Sequence, residues 1–257
     1  MTTERYSHYP QVDSAVGSRI LLAFRVAERA LEQRVRPPWQ LAPLPALAAL
    51  GLSGPYQPNL ALVFHDLLLD QDAQGQVLAD SGGRFVVFNI PAARPDTSEH
   101  GLLHFRMFTG GALPGRYRDA LPARVRHEEH SVGAGAAATI TQSYQVDVAA
   151  GGTIELQLSY QRGPLLRLAA TGPNLPIWTT ADPRIVRVYQ EDSVVEVVRN
   201  QAAGLDLAQE LLFRSSVPEL ADLFDGRERL VAILSNPYYA RKVFSPRTED
   251  AGHMQAR

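Results

Sequence analysis

The chain is 257 residues long with a formal net charge of −2 and a pI of about 6.4, so no global field draws in nucleic acid or an anionic membrane. Hydrophobic residues make up 45% and charged residues 20%, enough to bury a large core, which excludes disorder by composition. The absence of cysteine excludes disulfides, thiolate metal sites and a cysteine nucleophile, and Lys242, the single lysine among 25 Lys+Arg, is the only side-chain amine open to covalent chemistry.

The N-terminus, MTTERYSHYPQVDS, is polar, and no apolar run approaches the ~20 residues that cross a bilayer. The chain therefore reads as a soluble, cytoplasmic protein. SRILLAFRV (18–26) reads as a strand and AERALEQRV (27–35) as a helix stopped by Pro37-Pro38. RPPWQLAPLP (36–45) is a rigid loop with Trp39 packing it down. After an Ala/Leu run ending near Gly51, SGPYQPN is another loop, ALVFHDLLLD (61–70) a strand and DQDAQGQ a hairpin turn.

Beyond it the chain is mostly β. GRFVVFNIP and GLLHFRMFT read as strands, followed by a hairpin of TITQSYQVDV and TIELQLSYQR joined at Ala149-Ala150-Gly151-Gly152. In the second arm Ile154, Leu156, Leu158 and Tyr160 alternate with Thr153, Glu155, Gln157 and Ser159, the period of a strand with one buried face. RIVRVYQED and SVVEVVRN extend the sheet. LDLAQELLF and VPELADLFDG read as short helices with a stop at Gly226, and RLVAILS and ARKVFSP as closing strands. The pattern gives an α+β, mainly β fold: one large antiparallel sheet, curled or closed, with a few helices outside.

HEEH (127–130) resembles a zinc-protease motif at a glance, but that helical motif needs histidines four apart and these are three apart in a loop or strand. A solvated charged edge is the plainer reading. In GLLHFRMFT, alternation puts Leu102, His104, Arg106 and Phe108 on one face. Such a face suits a partly desolvated pocket, where arginine grips a carboxylate and histidine moves a proton, or else an ordinary polar surface. His65 in its apolar strand reads as a satisfied core histidine or a second proton-transfer group. Glu155 and Asp147 face solvent if the sheet is open and a lumen if it closes. No Gly-x-Ser-x-Gly elbow, phosphate loop or Gly-x-Gly-x-x-Gly after a strand is present, which disfavours a serine hydrolase, an ATPase and a Rossmann dehydrogenase.

The order of elements resembles the acetoacetate decarboxylase-like superfamily. SRILLAFRVAERALEQRVRPPWQL is similar to its opening strand, short helix and proline-containing loop, and VPELADLFDGRERLVAILSNPYYARKVF resembles its closing strand pair. ALPGR (112–116) is the best match to the family's Pro-Lys-Lys segment. The resemblance implies a single domain over 1–257, a β-cone or double β-barrel around a cavity, and a Schiff base between a lysine and a β-keto acid. This chain departs from that pattern: the lysine position falls on Gly115 and the adjacent cation on Arg116. Leu121-Pro122-Ala123 also lacks lysine, and arginine cannot replace the amine.

What remains is a lyase, hydratase or cyclase type of enzyme for an acidic, keto or polyketide-like molecule, working by non-covalent acid-base and electrostatic catalysis. Arg106 and Arg116 would hold a carboxylate or enolate oxygen, His104 or His65 would transfer the proton, and Tyr117, Arg118 and Tyr160 would contact substrate. This reading needs no metal and no cofactor, and its partner is a small molecule. A homo-oligomer is compatible with it. Two alternatives stay open: a binding or accessory protein that kept the cavity without the chemistry, and an unrelated lipocalin-like carrier of an apolar ligand.

Overall fold

The structure is a computed structural model that describes residues 5–48, 51–78, 82–111, 113 and 115–246. Strand β1 (Gln11–Arg25) is followed by the short helix α1 (Glu28–Glu32), which stops ahead of Pro37-Pro38. Trp39 is buried and pins the proline segment, as its sequence suggested. Then come β2 (Gln40–Leu41), α2 (Pro45–Ala48), β3 (Leu60–Asp72), β4 (Arg84–Arg94), β5 (Glu99–Thr109) and β6 (Ala120–Val132). The hairpin β7 (Thr139–Val148) and β8 (Thr153–Gln161) has the expected bounds, and Ile154, Leu156, Leu158 and Tyr160 are its buried face. The remaining strands are β9 (Leu165–Ala169), β10 (Leu175–Thr179), β11 (Val186–Asn200), β12 (Leu205–Asp206), β13 (Ala208–Ser215) and β14 (Arg229–Phe244).

Seven strands close into a barrel in the order β4-β5-β10-β11-β14-β1-β3 and back to β4. The sheet is mixed where pure antiparallel pairing was expected, because β5 runs parallel to two neighbours. Its first half pairs with β10 at Leu102–His104 and closes the barrel, while its end pairs with β6 at Met107–Thr109 and starts a second sheet, β6-β7-β8-β13. Gly101 makes the closing seam possible: a Cβ there would run into the carbonyl oxygen of Pro176 and the ring of Trp178.

The main core lies between the second sheet and the outer face of the barrel. Ile20, Leu22, Phe24 and Phe64 from the barrel meet Tyr144, Leu156 and Leu158 from the second sheet in one buried cluster. The barrel strands are thus covered on both faces, by this core outside and by a cavity inside. That explains why their sequences run apolar with little alternation.

LDLAQELLF, expected as helix, is β12 and β13, and VPELADLFDG contains only a 3-10 turn at Pro218–Leu220 before Gly226 at φ 86°. Tertiary context decides both. β13 hydrogen-bonds along the open edge of β8 from Ala208 to Ser215, with Leu211 and Phe213 on the core, and Val217, Leu220 and Leu223 are drawn into the same core. No helix among the described residues is long and apolar enough to cross a membrane.

Candidate active site

The barrel encloses a cavity of about 640 Å³. One wall is a row of directly paired apolar residues from four adjacent strands: Leu21, Val63, Val87 and Met107. Beside it lies the next inward level, Arg19, His65, Phe85 and Thr109. The opposite wall, from β11 and β14, presents Arg187, Tyr189, Glu191 and Arg241, and the loop between β5 and β6 adds Gly115, Arg116, Tyr117 and Arg118.

Most of these arginines are neutralised in place. Arg187 pairs with Asp13. Arg116 spans Asp13 at 2.8 Å and Asp70 at 2.7 Å. Arg19 holds Glu191, with Nη1 to Oε2 at 2.8 Å, and Arg118 reaches Asp182 at 3.2 Å. Arg241 differs: it has no carboxylate partner among the described residues, and its buried Nε has no hydrogen-bond acceptor. Its guanidinium lies 4.9 Å from the Tyr189 ring centre and 5.6 Å from that of Tyr239. Burial opposes its charge, but the oxygens of Tyr189, Tyr239, Tyr117 and Asp70 outweigh that and hold it above its ordinary value.

The guanidinium group reshapes the acid-base chemistry around it. Tyr117 and Tyr189 share a hydrogen bond of 2.8 Å between hydroxyls. Burial and the neighbouring Tyr189 oxygen push Tyr117 well above the usual phenol range. Burial also opposes ionisation of Tyr189, but Arg241, Arg187 and Arg116 reverse it and bring Tyr189 below the usual value. The arginines thus favour negative charge on the Tyr189 oxygen, while burial and Tyr189 disfavour it on Tyr117.

His65 is 5% exposed, stacks on Phe85 and shares a 3.2 Å hydrogen bond with the Tyr239 hydroxyl through Nδ1. Burial first, then Arg241, Arg19 and His104, lower its pKa well below 6.5, so it is neutral in the folded protein at pH 7. Below pH 6.5 the unfolded chain takes up a proton at this position and the folded chain does not, so stability rises with pH across that window. The expected contribution is a loss of about 1.4 kcal/mol per pH unit on going down from pH 6.5, until folded His65 itself titrates. Urea unfolding at pH 7.0, 6.0 and 5.0 checks it: His65→Gln should flatten the slope by that amount, and an unchanged slope would refute the assignment.

His104 is held through Nδ1, 3.0 Å from Asn89 Oδ1, while Nε2 lies 3.0 Å from Asp119 Oδ2 without hydrogen-bond geometry, and its ring lies against Tyr117 at 4.6 Å. It lines the cavity as a braced wall under the tyrosine pair.

Of the residues singled out in the sequence, His65, His104, Arg116, Tyr117 and Arg118 line the cavity. Arg106 and Tyr160 do not. A bulge at Phe105, where Phe88 pairs with Arg106 but Asn89 with His104, inverts the alternation of β5. His104 faces inward before the bulge and Met107 after it, and Arg106 points out to the Asp119 carbonyl at 3.2 Å and to Glu219 at 2.8 Å. Tyr160 belongs to the core between the sheets and donates to Ser235 Oγ at 3.0 Å. Lys242 is exposed; its neighbour Arg241 is the residue that enters the cavity.

HEEH lies on β6, where His127 stacks on Tyr144 and contacts Asp66 at 2.9 Å while Glu128, Glu129 and His130 are exposed. Asp147 lies in the second sheet, paired with Arg126. Asp13, Arg187, Tyr189, Glu191 and Arg241 were missed. The alternation Arg187, Tyr189, Glu191 along one strand face was the available signal.

The closed barrel with its flanking sheet is the fold of the acetoacetate decarboxylase-like proteins. The chain is similar to the enduracididine biosynthesis enzyme MppR complexed with pyruvate (TM-score 0.56, 10% identity, 94% of this chain and 90% of that one). It is also similar to an acetoacetate decarboxylase-like enzyme from Sphingomonas wittichii RW1 (TM-score 0.55, 10% identity, 91% of each chain). A third is acetoacetate decarboxylase from Legionella pneumophila (TM-score 0.53, 8% identity, 92% and 86%). No family model matches the sequence, and no curated protein matches it.

Proposed function

We propose that the chain is an enzyme that binds an oxo-carboxylic acid inside the barrel and moves a proton on it without a covalent amine adduct. The observation that carries this reading is Arg241, a guanidinium lining the barrel cavity with a buried Nε that lacks an acceptor and no carboxylate within ion-pair distance among the described residues. A carboxylate supplied by a ligand completes it, through two parallel hydrogen bonds in a desolvated setting. That a structurally similar enzyme holds pyruvate supports a 2-oxo acid as the class.

Tyr189 is the proposed proton-transfer residue. In its ionised form its oxygen takes a proton from the carbon next to the substrate carbonyl: the C–H bond breaks, its electrons pass into the enolate, and the O–H bond forms on Tyr189. Tyr117 supports the phenolate through its hydrogen bond, and the guanidinium cluster stabilises the enolate oxygen. His65, neutral at pH 7, is a second group able to accept a proton. Arg116, already spanning Asp13 and Asp70, serves as an electrostatic wall more than as a carboxylate clamp. A lyase, hydratase or cyclase outcome would follow from what the enolate meets next, and the scheme invokes no metal or cofactor.

The test is proton exchange at the carbon beside the carbonyl of 2-oxobutanoate in deuterated water, followed by NMR. Protein-dependent exchange is expected, with Tyr189→Phe slowing it by about a hundredfold while binding persists. The second reading, a binding protein without turnover, is favoured by the absence of lysine from the cavity lining; binding with no exchange would select it.

A further inference from the structure

We infer that the cavity takes an amphipathic oxo acid, a carboxylate head carrying a medium-length alkyl or aryl tail, and not a three-carbon acid; the inference rests on the carboxylate reading above. The observation is the division of the lining. Arg241 pairs with Ala15 on β1 and Glu191 on β11, and its guanidinium lies over the ring of Tyr239, whose hydroxyl shares a hydrogen bond with His65. The Arg19–His65 pair lies two inward positions along β1 from the Ala15–Arg241 pair, and one position beyond it, about 7 Å further, the wall changes character.

There Leu21, Val63, Val87 and Met107 pair directly across β1, β3, β4 and β5. The row is three inter-strand spacings long, about 14 Å, and Phe85 adds an aromatic face beside it. A three-carbon acid held at Arg241 leaves that row against water. A tail of several carbons covers it, and a cavity of about 640 Å³ falls in the range that encloses drug-sized ligands. The charged head group has no comparable place along the row, so the two walls also fix which way round the ligand lies.

Isothermal titration of pyruvate, 2-oxobutanoate, 2-oxohexanoate and 2-oxooctanoate, with octan-2-one as the tail lacking a carboxylate, tests the inference. Affinity is expected to rise about fourfold for each added methylene until the row is covered, with octan-2-one at least thirtyfold weaker than 2-oxooctanoate. In Met107→Gln, and separately in Val87→Thr, the gain per methylene should shrink to less than twofold; thermal unfolding identifies which variant is folded and therefore scored. A flat series in which pyruvate binds as tightly as 2-oxooctanoate overturns the tail and leaves the carboxylate reading standing. Octan-2-one binding as tightly as 2-oxooctanoate removes the carboxylate head, and the amphipathic inference falls with it.

Discussion

Arg241→Met lowers affinity for 2-oxo acids by about a hundredfold and leaves the protein folded. Hydrogen bonds to a charged group contribute about 1.5–3 kcal/mol each, so losing a two-pronged grip costs on the order of 3 kcal/mol, or roughly a hundredfold in Kd. The folded state does not suffer in the same way. Arg241 has no carboxylate among the described residues to be orphaned, and it sits in a cavity that already holds Arg19, Arg116 and Arg187. Glu191 keeps Arg19 at 2.8 Å and Asp70 keeps Arg116 at 2.7 Å when Arg241 is removed, and methionine fills much of the same volume. The unfolding midpoint should therefore stay within a few degrees of wild type. Two further consequences separate this from a general loss of structure. His65 and Tyr189 are both lowered by Arg241, so each should move up in the variant, which NMR titration of the histidine ring reads directly. A change in Kd of less than about threefold, with the His65 shift present, would remove Arg241 from the binding role.

The same residue shows what the sequence could and could not disclose. The β7–β8 hairpin was legible because one of its faces meets the core and the other meets water, so burial wrote itself as a period of two. Strands β1, β3 and β4 were legible as strands but not as walls of a site. Both their faces are covered, one by the core and one by the cavity, and the alternation that separates inside from outside is lost. In YYARKVF nothing in the sequence signals that Lys242 enters a cavity; Lys242 is exposed, and the residue beside it, on the opposite face of β14, is the one that lines the cavity.

Alternation also failed at a definite place in β5. Its period was read as unbroken through His104 and Arg106, and the extra residue at Phe105 sends the two side chains to opposite sides of the sheet. Bulges depend on how a barrel closes, a long-range matter that no window of ten residues contains. The Gly115-Arg116 position rests on a different kind of signal. It was placed by resemblance, without periodicity, and both residues do line the cavity.

The ion pairs behind the cavity wall carry a stability effect larger than any of these. Asp13 is 3% exposed and is shared by two arginines, Arg187, itself 4% exposed, and Arg116. Asp13→Ala takes the Asp13 carboxylate away from buried Arg187, which lines the same cavity as Arg116 and Arg241, whereas Arg116 keeps Asp70 at 2.7 Å. Removing one partner of a buried pair costs about 3–5 kcal/mol, mostly the desolvation of the charge left behind. The loss should appear as a shift of the urea midpoint with an unchanged slope. If loss of the Arg187–Asp13 pair is the cause, replacing both partners must restore stability: Asp13→Ala with Arg187→Met should recover at least half of the loss, since a buried pair exchanged for apolar groups is often neutral. Asp13→Asn, which keeps an acceptor facing both guanidinium groups, should fall between wild type and Asp13→Ala. A cost below about 1 kcal/mol for Asp13→Ala, or a double variant no more stable than the single, would mean that the network neutralises the cavity wall without holding the barrel together, and that β1 is kept in place by its apolar face and its ladders to β3 and β14 alone.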